Sequence, residues 1–129
     1  MVMQEDNFGC GVACVANLLG ISYRQALKLF DNPKDSKNKG FWCRDIVTAL
    51  RNTGVDSTYK YIKPGINQIY KLGTIIYVAK GKKYLAGHYL LRTNSGWNDS
   101  WINFPSYPRK VGLRKILPGK PIYMLYIKR

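Results

Sequence analysis

The chain is poor in acid, in histidine and in long apolar runs. Its 129 residues carry 7 Asp or Glu against 21 Lys or Arg, a net charge of +14. That imbalance excludes a charge-balanced surface. Two expectations remain: a basic surface that serves solubility, or one that meets a polyanion such as RNA or an acidic protein. The bias grows along the chain, because Asp99 is the last acid and seven Lys or Arg follow it. No run of eighteen apolar residues is present, so no membrane-spanning helix is expected. Residues 1–7 are polar and acidic, unlike the basic-then-apolar start of a signal peptide, and a cytoplasmic setting is expected.

Cysteine is also scarce. Three is an odd number, so the three cannot all pair with one another, and reduced thiols are expected. There is no CxxC pair and no Cys/His cluster, so neither zinc nor any other cofactor is implied. Cys10 and Cys14 lie four apart on one expected helix, but the second half of a metal site is missing. Repeats and low-complexity tracts are absent. The length and a hydrophobic fraction of 46% fit one domain over residues 1–129, expected to be a monomer.

What is there begins as helix. Val12, Val15, Ala16 and Leu19 recur at helical spacing, and Gly20 supplies a stop. Ser22 is the expected N-cap of a second helix over residues 23–30, which Asn32-Pro33 ends. Residues 34–40 are polar and predict a surface loop. A third helix over 42–53 buries Ile46, Val47, Ala49 and Leu50 and ends at Gly54. The period then shifts towards two. Strands are expected at 57–62, 74–79, 84–93, 97–104 and 122–127, with a helical turn near 64–70 and a basic turn at 80–83. Asn94-Ser95-Gly96 is a hairpin signal. Helices first and strands afterwards predict an α+β domain, its N-terminal helices packed on a C-terminal antiparallel sheet.

The scarcity of histidine narrows the chemistry. Cys10, in Phe8-Gly9-Cys10-Gly11-Val12-Ala13-Cys14, falls at the mouth of the first helix. A thiol titrates near pH 8.5 and attacks as thiolate; a helix N-terminus and a neighbouring imidazolium both favour that form. The one imidazole is His88, in Gly87-His88-Tyr89-Leu90-Leu91-Arg92. Gln4, six positions before Cys10, has an amide that can join the Cys10 backbone N–H in holding an oxyanion. Cys14 and Cys43 are expected to pack. A third residue should orient the imidazole. With the turn centred on Ser95, residue 88 falls opposite 102, which puts Asn103 beside His88. Asp99 falls opposite Leu91, about 10 Å further along the strand. Asn103 is therefore the expected partner, with Asp99 in reserve.

These residues resemble a known family. Gln4, Cys10-Gly11-Val12-Ala13-Cys14 and Leu18-Leu19-Gly20-Ile21-Ser22 are similar to the start of the double-glycine peptidases. These are papain-like cysteine peptidases that trim leader peptides from bacteriocins. The likeness extends over roughly residues 4 to 104 and takes in the 40–54 helix and the Gly87-His88-Tyr89-Leu90-Leu91 strand. It implies a papain-like fold, a bacterial source and a peptide substrate. The family's Asp-Pro after the second hairpin strand is replaced by Asn103-Phe104-Pro105, and Asp99-Ser100 stands nearby. Another branch of that fold contains tRNA-cleaving toxin domains of contact-dependent inhibition systems, delivered into target cells and countered by immunity proteins. The net charge of +14 suits a tRNA substrate and an acidic immunity partner. A non-catalytic binding domain is the third alternative.

Overall fold

In the computed structural model, residues 1–65, 68–79, 81 and 87–128 are described. Among these residues four helices come first: α1 (Cys10–Leu19), α2 (Tyr23–Leu27), α3 (Asp35–Asn38) and α4 (Cys43–Arg51). Six strands follow among the described residues: β1 (Ser57–Tyr61), β2 (Ile75–Val78), β3 (His88–Thr93), β4 (Gly96–Asp99), β5 (Gly112–Arg114) and β6 (Pro121–Ile127). The domain is α+β, as its sequence predicts.

Helix α1 is apolar on every side of its first two turns, and Cys10 through Ala16 are all buried. Such a helix lies inside a fold rather than on its surface. It stops where Gly20 takes φ +69°, a left-handed conformation in which glycine has no Cβ penalty. Helix α2 starts with a reciprocal cap: Gln25 N–H donates to Ser22 Oγ, and Ser22 N–H donates to Gln25 Oε1. It is shorter than the expected 23–30. The polar stretch 34–40 is not plain loop. It holds α3, where Ser36 is buried and its hydroxyl donates to Asp6 Oδ2 at 3.0 Å.

The sheet is antiparallel in the order β1-β6-β2-β3-β4-β5. The last strand therefore lies inside it, between β1 and β2. Alternation along the strands divides the core. Ile75, Tyr89, Leu91 and Leu125 pack with α1 and α4, whereas Ile76, Val78, Leu90 and Met124 form a smaller cluster with Ile62 and Trp97. Because both faces are covered, β2 is nearly all apolar, and β3 is buried from His88 through Leu91.

Three differences from the expected elements stand out. The second hairpin strand ends at Asp99 rather than reaching 104. Strand β5 is too short, and too poor in apolar residues, to show in the sequence. Of the helical turn expected near 64–70, residues 64–65 form a turn, 68–70 have no regular structure, and 66–67 lie outside the described residues. The basic turn at 80–83 and the first part of the strand at 84–93 lie, apart from Gly81, outside the described residues.

Candidate active site

Two elements meet to form the site. The N-terminus of α1 abuts the start of β3, closely enough that a Cβ on Gly11 would press on Ile46 and Tyr89. Cys10 thereby comes against the strand, and Tyr89 N–H donates to its Sγ at 3.4 Å. No side chain caps α1, and its first turn carries no acid. Ala13 N–H bonds Gly9 O at 3.0 Å, so the amides of Cys10, Gly11 and Val12 precede the first intrahelical bond. Such first-turn amides are donors suited to an anion.

His88 lies buried beside Cys10. Its Nε2 is 2.8 Å from Asp99 Oδ1, which leaves the other ring nitrogen to the Cys10 side chain, with which the imidazole hydrogen-bonds. Burial disfavours the imidazolium. The negative charge of Cys10 and the hydrogen bond to Asp99 outweigh it, and the pKa of His88 rises to about 9. Asp99 is fully buried and accepts from three groups: His88, Trp101 N–H at 3.0 Å and Arg114 Nε at 2.7 Å. Burial alone would raise its carboxyl. His88, Arg114 and the Trp101 N–H together hold it well below the usual range.

Asn103, the expected partner of His88, does not reach it. Its amide closes the following loop, accepting from Lys110 N–H at 2.8 Å and donating to Pro108 O at 3.0 Å. The error lay in the register. Leu91 pairs with Asn98 and Thr93 with Gly96, so the hairpin is centred between Asn94 and Ser95 rather than on Ser95. Continued by one residue, that register sets Asp99 across from Leu90, two residues from His88 and on the same side of the strand. Diagonal neighbours of this kind lie about 7–8 Å apart, within reach of two long side chains.

Gln4 is buried in the wall of the same cleft. Its Oε1 accepts from Ser100 Oγ at 2.7 Å, and its Nε2 donates to Asp6 O at 2.9 Å and to Asn7 O at 3.3 Å. The Asp99-Ser100 pair thus serves both halves of the site: Asp99 holds the imidazole, and Ser100 fixes which way the Gln4 amide faces. Sequence reasoning missed Ser100 and Arg114. Ser100 follows an acid already in view, but Arg114 carries no local signal.

The other two thiols lie in environments that disfavour the thiolate. Burial, then the charge of Cys10, pushes the Cys14 thiol well up; burial likewise raises Cys43. Cys10, His88 and Gln4 open onto a cleft of about 270 Å³. One wall is an aromatic loop, in which Trp101 meets Phe104 edge to face and Tyr107 at a tilt. Arg109 lies over Trp101 and Tyr107 at 4.5 and 5.1 Å and ties the loop to the N-terminal segment by bonding Glu5 O. Among the described residues no group of His, Cys, Asp and Glu is arranged to hold a metal, and no helix is long and apolar enough to cross a membrane. Comparison with known families, with curated proteins and with solved structures finds no match for this chain.

Proposed function

We propose that the chain is a papain-like cysteine hydrolase that transfers the acyl group of a peptide to Cys10 and then to water. One observation carries this most: a thiol at an uncapped helix N-terminus, against an imidazole whose far nitrogen is 2.8 Å from a buried carboxylate. The thiolate adds to the substrate carbonyl. The resulting oxyanion takes hydrogen bonds from the Cys10 N–H and the Gln4 amide, whose loose 3.3 Å bond to Asn7 O is the one exchanged. The His88 imidazolium gives its proton to the leaving amine. Neutral His88 then takes a proton from water, which attacks the thioester and releases the acid and the thiol. Asp99 keeps the imidazole in orientation throughout, and Arg114 keeps Asp99.

Brief iodoacetamide labelling followed by mass spectrometry tests this. Cys10 should be modified first of the three thiols. First modification at Cys14 or Cys43 would remove the assignment.

One observation favours a second function. The charge of +14 suits a papain-like RNase of the toxin type, whose affinity would come from neutralised phosphates and fall steeply with salt. Incubation with total tRNA, with Cys10→Ala as control, separates the two. The hydrolase leaves tRNA intact, whereas Cys10-dependent fragments would promote the RNase.

A further inference from the structure

Four strands each contribute a tyrosine to one row. Tyr77 pairs in register with Tyr89 on one side and with Tyr123 on the other, and Tyr123 pairs with Tyr61. Paired residues share a face of the sheet, and the ring centroids confirm contact: 4.8 Å for Tyr77–Tyr89, 6.5 Å for Tyr77–Tyr123 and 5.9 Å for Tyr61–Tyr123. Tyr59 joins from two residues along β1, 6.4 Å from Tyr123. The row crosses β3, β2, β6 and β1, about 14 Å at the usual strand spacing, or the length of about four extended residues.

Its inner end is the catalytic cleft, where Tyr77 and Tyr89 form part of the wall. Its outer end lies open, with Tyr61 56% and Tyr59 42% exposed. Between them is a second hollow of about 280 Å³, which shares Phe41, Tyr77 and Tyr89 with the first. Its rim carries Trp42, 67% exposed, and Arg44. Among the described residues Arg44 makes no ion pair. An open indole and an unpaired guanidinium beside an aromatic trough suit a chain that carries both apolar and acidic side chains.

We propose that this row is the track along which the substrate approaches Cys10. Its occupant is an extended peptide. A large apolar or aromatic side chain fills the hollow against Tyr123 and Trp42, and an acidic residue beside it meets Arg44. The proposal rests on the hydrolase assignment and adds a substrate class to it. Residues within about four positions of the cleaved bond are then selected for apolar bulk and negative charge.

The test uses Cys10→Ala protein, so binding is read without turnover, by anisotropy of fluorescein-labelled probes. One octapeptide alternates Glu with Phe and Leu; a second, of equal charge, alternates Glu with Ala; a third probe is an oligouridylate of eight nucleotides. The first should bind about tenfold more tightly than the second, because only it fills the hollow. Trp42→Ala and Arg44→Glu should each weaken it about fivefold or more. Arg51→Glu, at the other end of α4 and outside the hollow, makes the same change in net charge and should leave binding within about twofold. Equal binding of the two peptides, equal effects of Arg44→Glu and Arg51→Glu, or tighter, Trp42-dependent binding of the oligouridylate would each overturn the track. Rapid alkylation of Cys10 in the unmodified chain alongside any of these results would sink the track and leave the hydrolase standing.

Discussion

Two helices in this molecule begin with a cysteine. Cys10 opens α1 and Cys43 opens α4, and the two are equally buried, at 7% and 8% exposure. Both touch Tyr89, one through its backbone N–H and the other through its hydroxyl. Their surroundings differ in sign. At α1 the first turn has no acid and no capping side chain, and His88 stands beside the sulfur. At α4 Asp45 occupies the first turn and accepts from Trp42 N–H at 2.8 Å, while burial and then the Asp45 charge act to raise the thiol. On the proposed assignment, a helix N-terminus alone is not enough to make a nucleophile. What sets the two starts apart is the imidazole beside Cys10 and the acid in the first turn of α4, and each can be removed in turn.

The largest expected effect comes from the sulfur itself. Cys10→Ala should lower peptide hydrolysis by about ten-thousandfold, whereas Cys43→Ala should change it less than about threefold. Steady-state rates on a peptide that the unmodified chain cleaves check this. Comparable losses would mean that both helix starts contribute.

The next effect lies behind the imidazole. Asp99→Asn should lower turnover about a hundredfold or more and Asn103→Ala less than about threefold, because only Asp99 touches His88. Asp99→Asn also leaves Arg114 without its carboxylate, which should destabilise the fold by about 3 kcal/mol, readable in urea. Arg114→Gln in the same background should recover part of that stability without recovering turnover. A larger catalytic loss from Asn103→Ala would contradict the register described above.

How far the sequence reaches is visible in that pair of residues. Gln4, Cys10 and His88 could be named because each sits in a local pattern: an amide at fixed distance, a thiol between glycines, an imidazole opening an apolar strand. The helices α1 and α4 were legible from 3.6-residue spacing and the glycines that end them. The imidazole's partner was legible only as the reserve, Asp99 behind Asn103, because the choice between them depended on half a residue in the centre of a turn, and local propensity does not fix a hairpin register. Arg114 lay beyond reach for another reason. It arrives on a three-residue strand with no apolar alternation, and only the order of the sheet brings it to Asp99. The tyrosine row is similar: Tyr61, Tyr77, Tyr89 and Tyr123 become neighbours only when β6 inserts between β1 and β2.

A smaller effect concerns pH. The pKa of His88 is raised to about 9 in the fold from an ordinary 6.5. A raised group stabilises the folded state fully below its unfolded pKa, and that stabilisation is lost as pH rises through the folded one. The Tm difference between the unmodified chain and His88→Gln should therefore be constant below about pH 6.5 and shrink towards pH 9. In Cys10→Ala background the window should narrow, because the Cys10 charge is the largest cause of the rise. A difference that grows with pH would contradict the thiolate–imidazolium pair.

The smallest effect is at the silent cysteine. Asp45→Ser keeps a capping oxygen and removes the charge from the first turn of α4. Cys43 should alkylate faster, by less than about threefold, because burial, the larger cause of its raised pKa, is unchanged.

The central claim, that His88 rather than the helix start activates Cys10, is tested most directly by iodoacetamide alkylation followed residue by residue between about pH 5 and pH 9, in the unmodified chain and in His88→Ala. Cys10 should react first in the unmodified chain, and its rate should fall about tenfold or more in the variant at neutral pH, with Cys14 and Cys43 unaffected. An unchanged Cys10 profile in His88→Ala, or first reaction at Cys43, would contradict it.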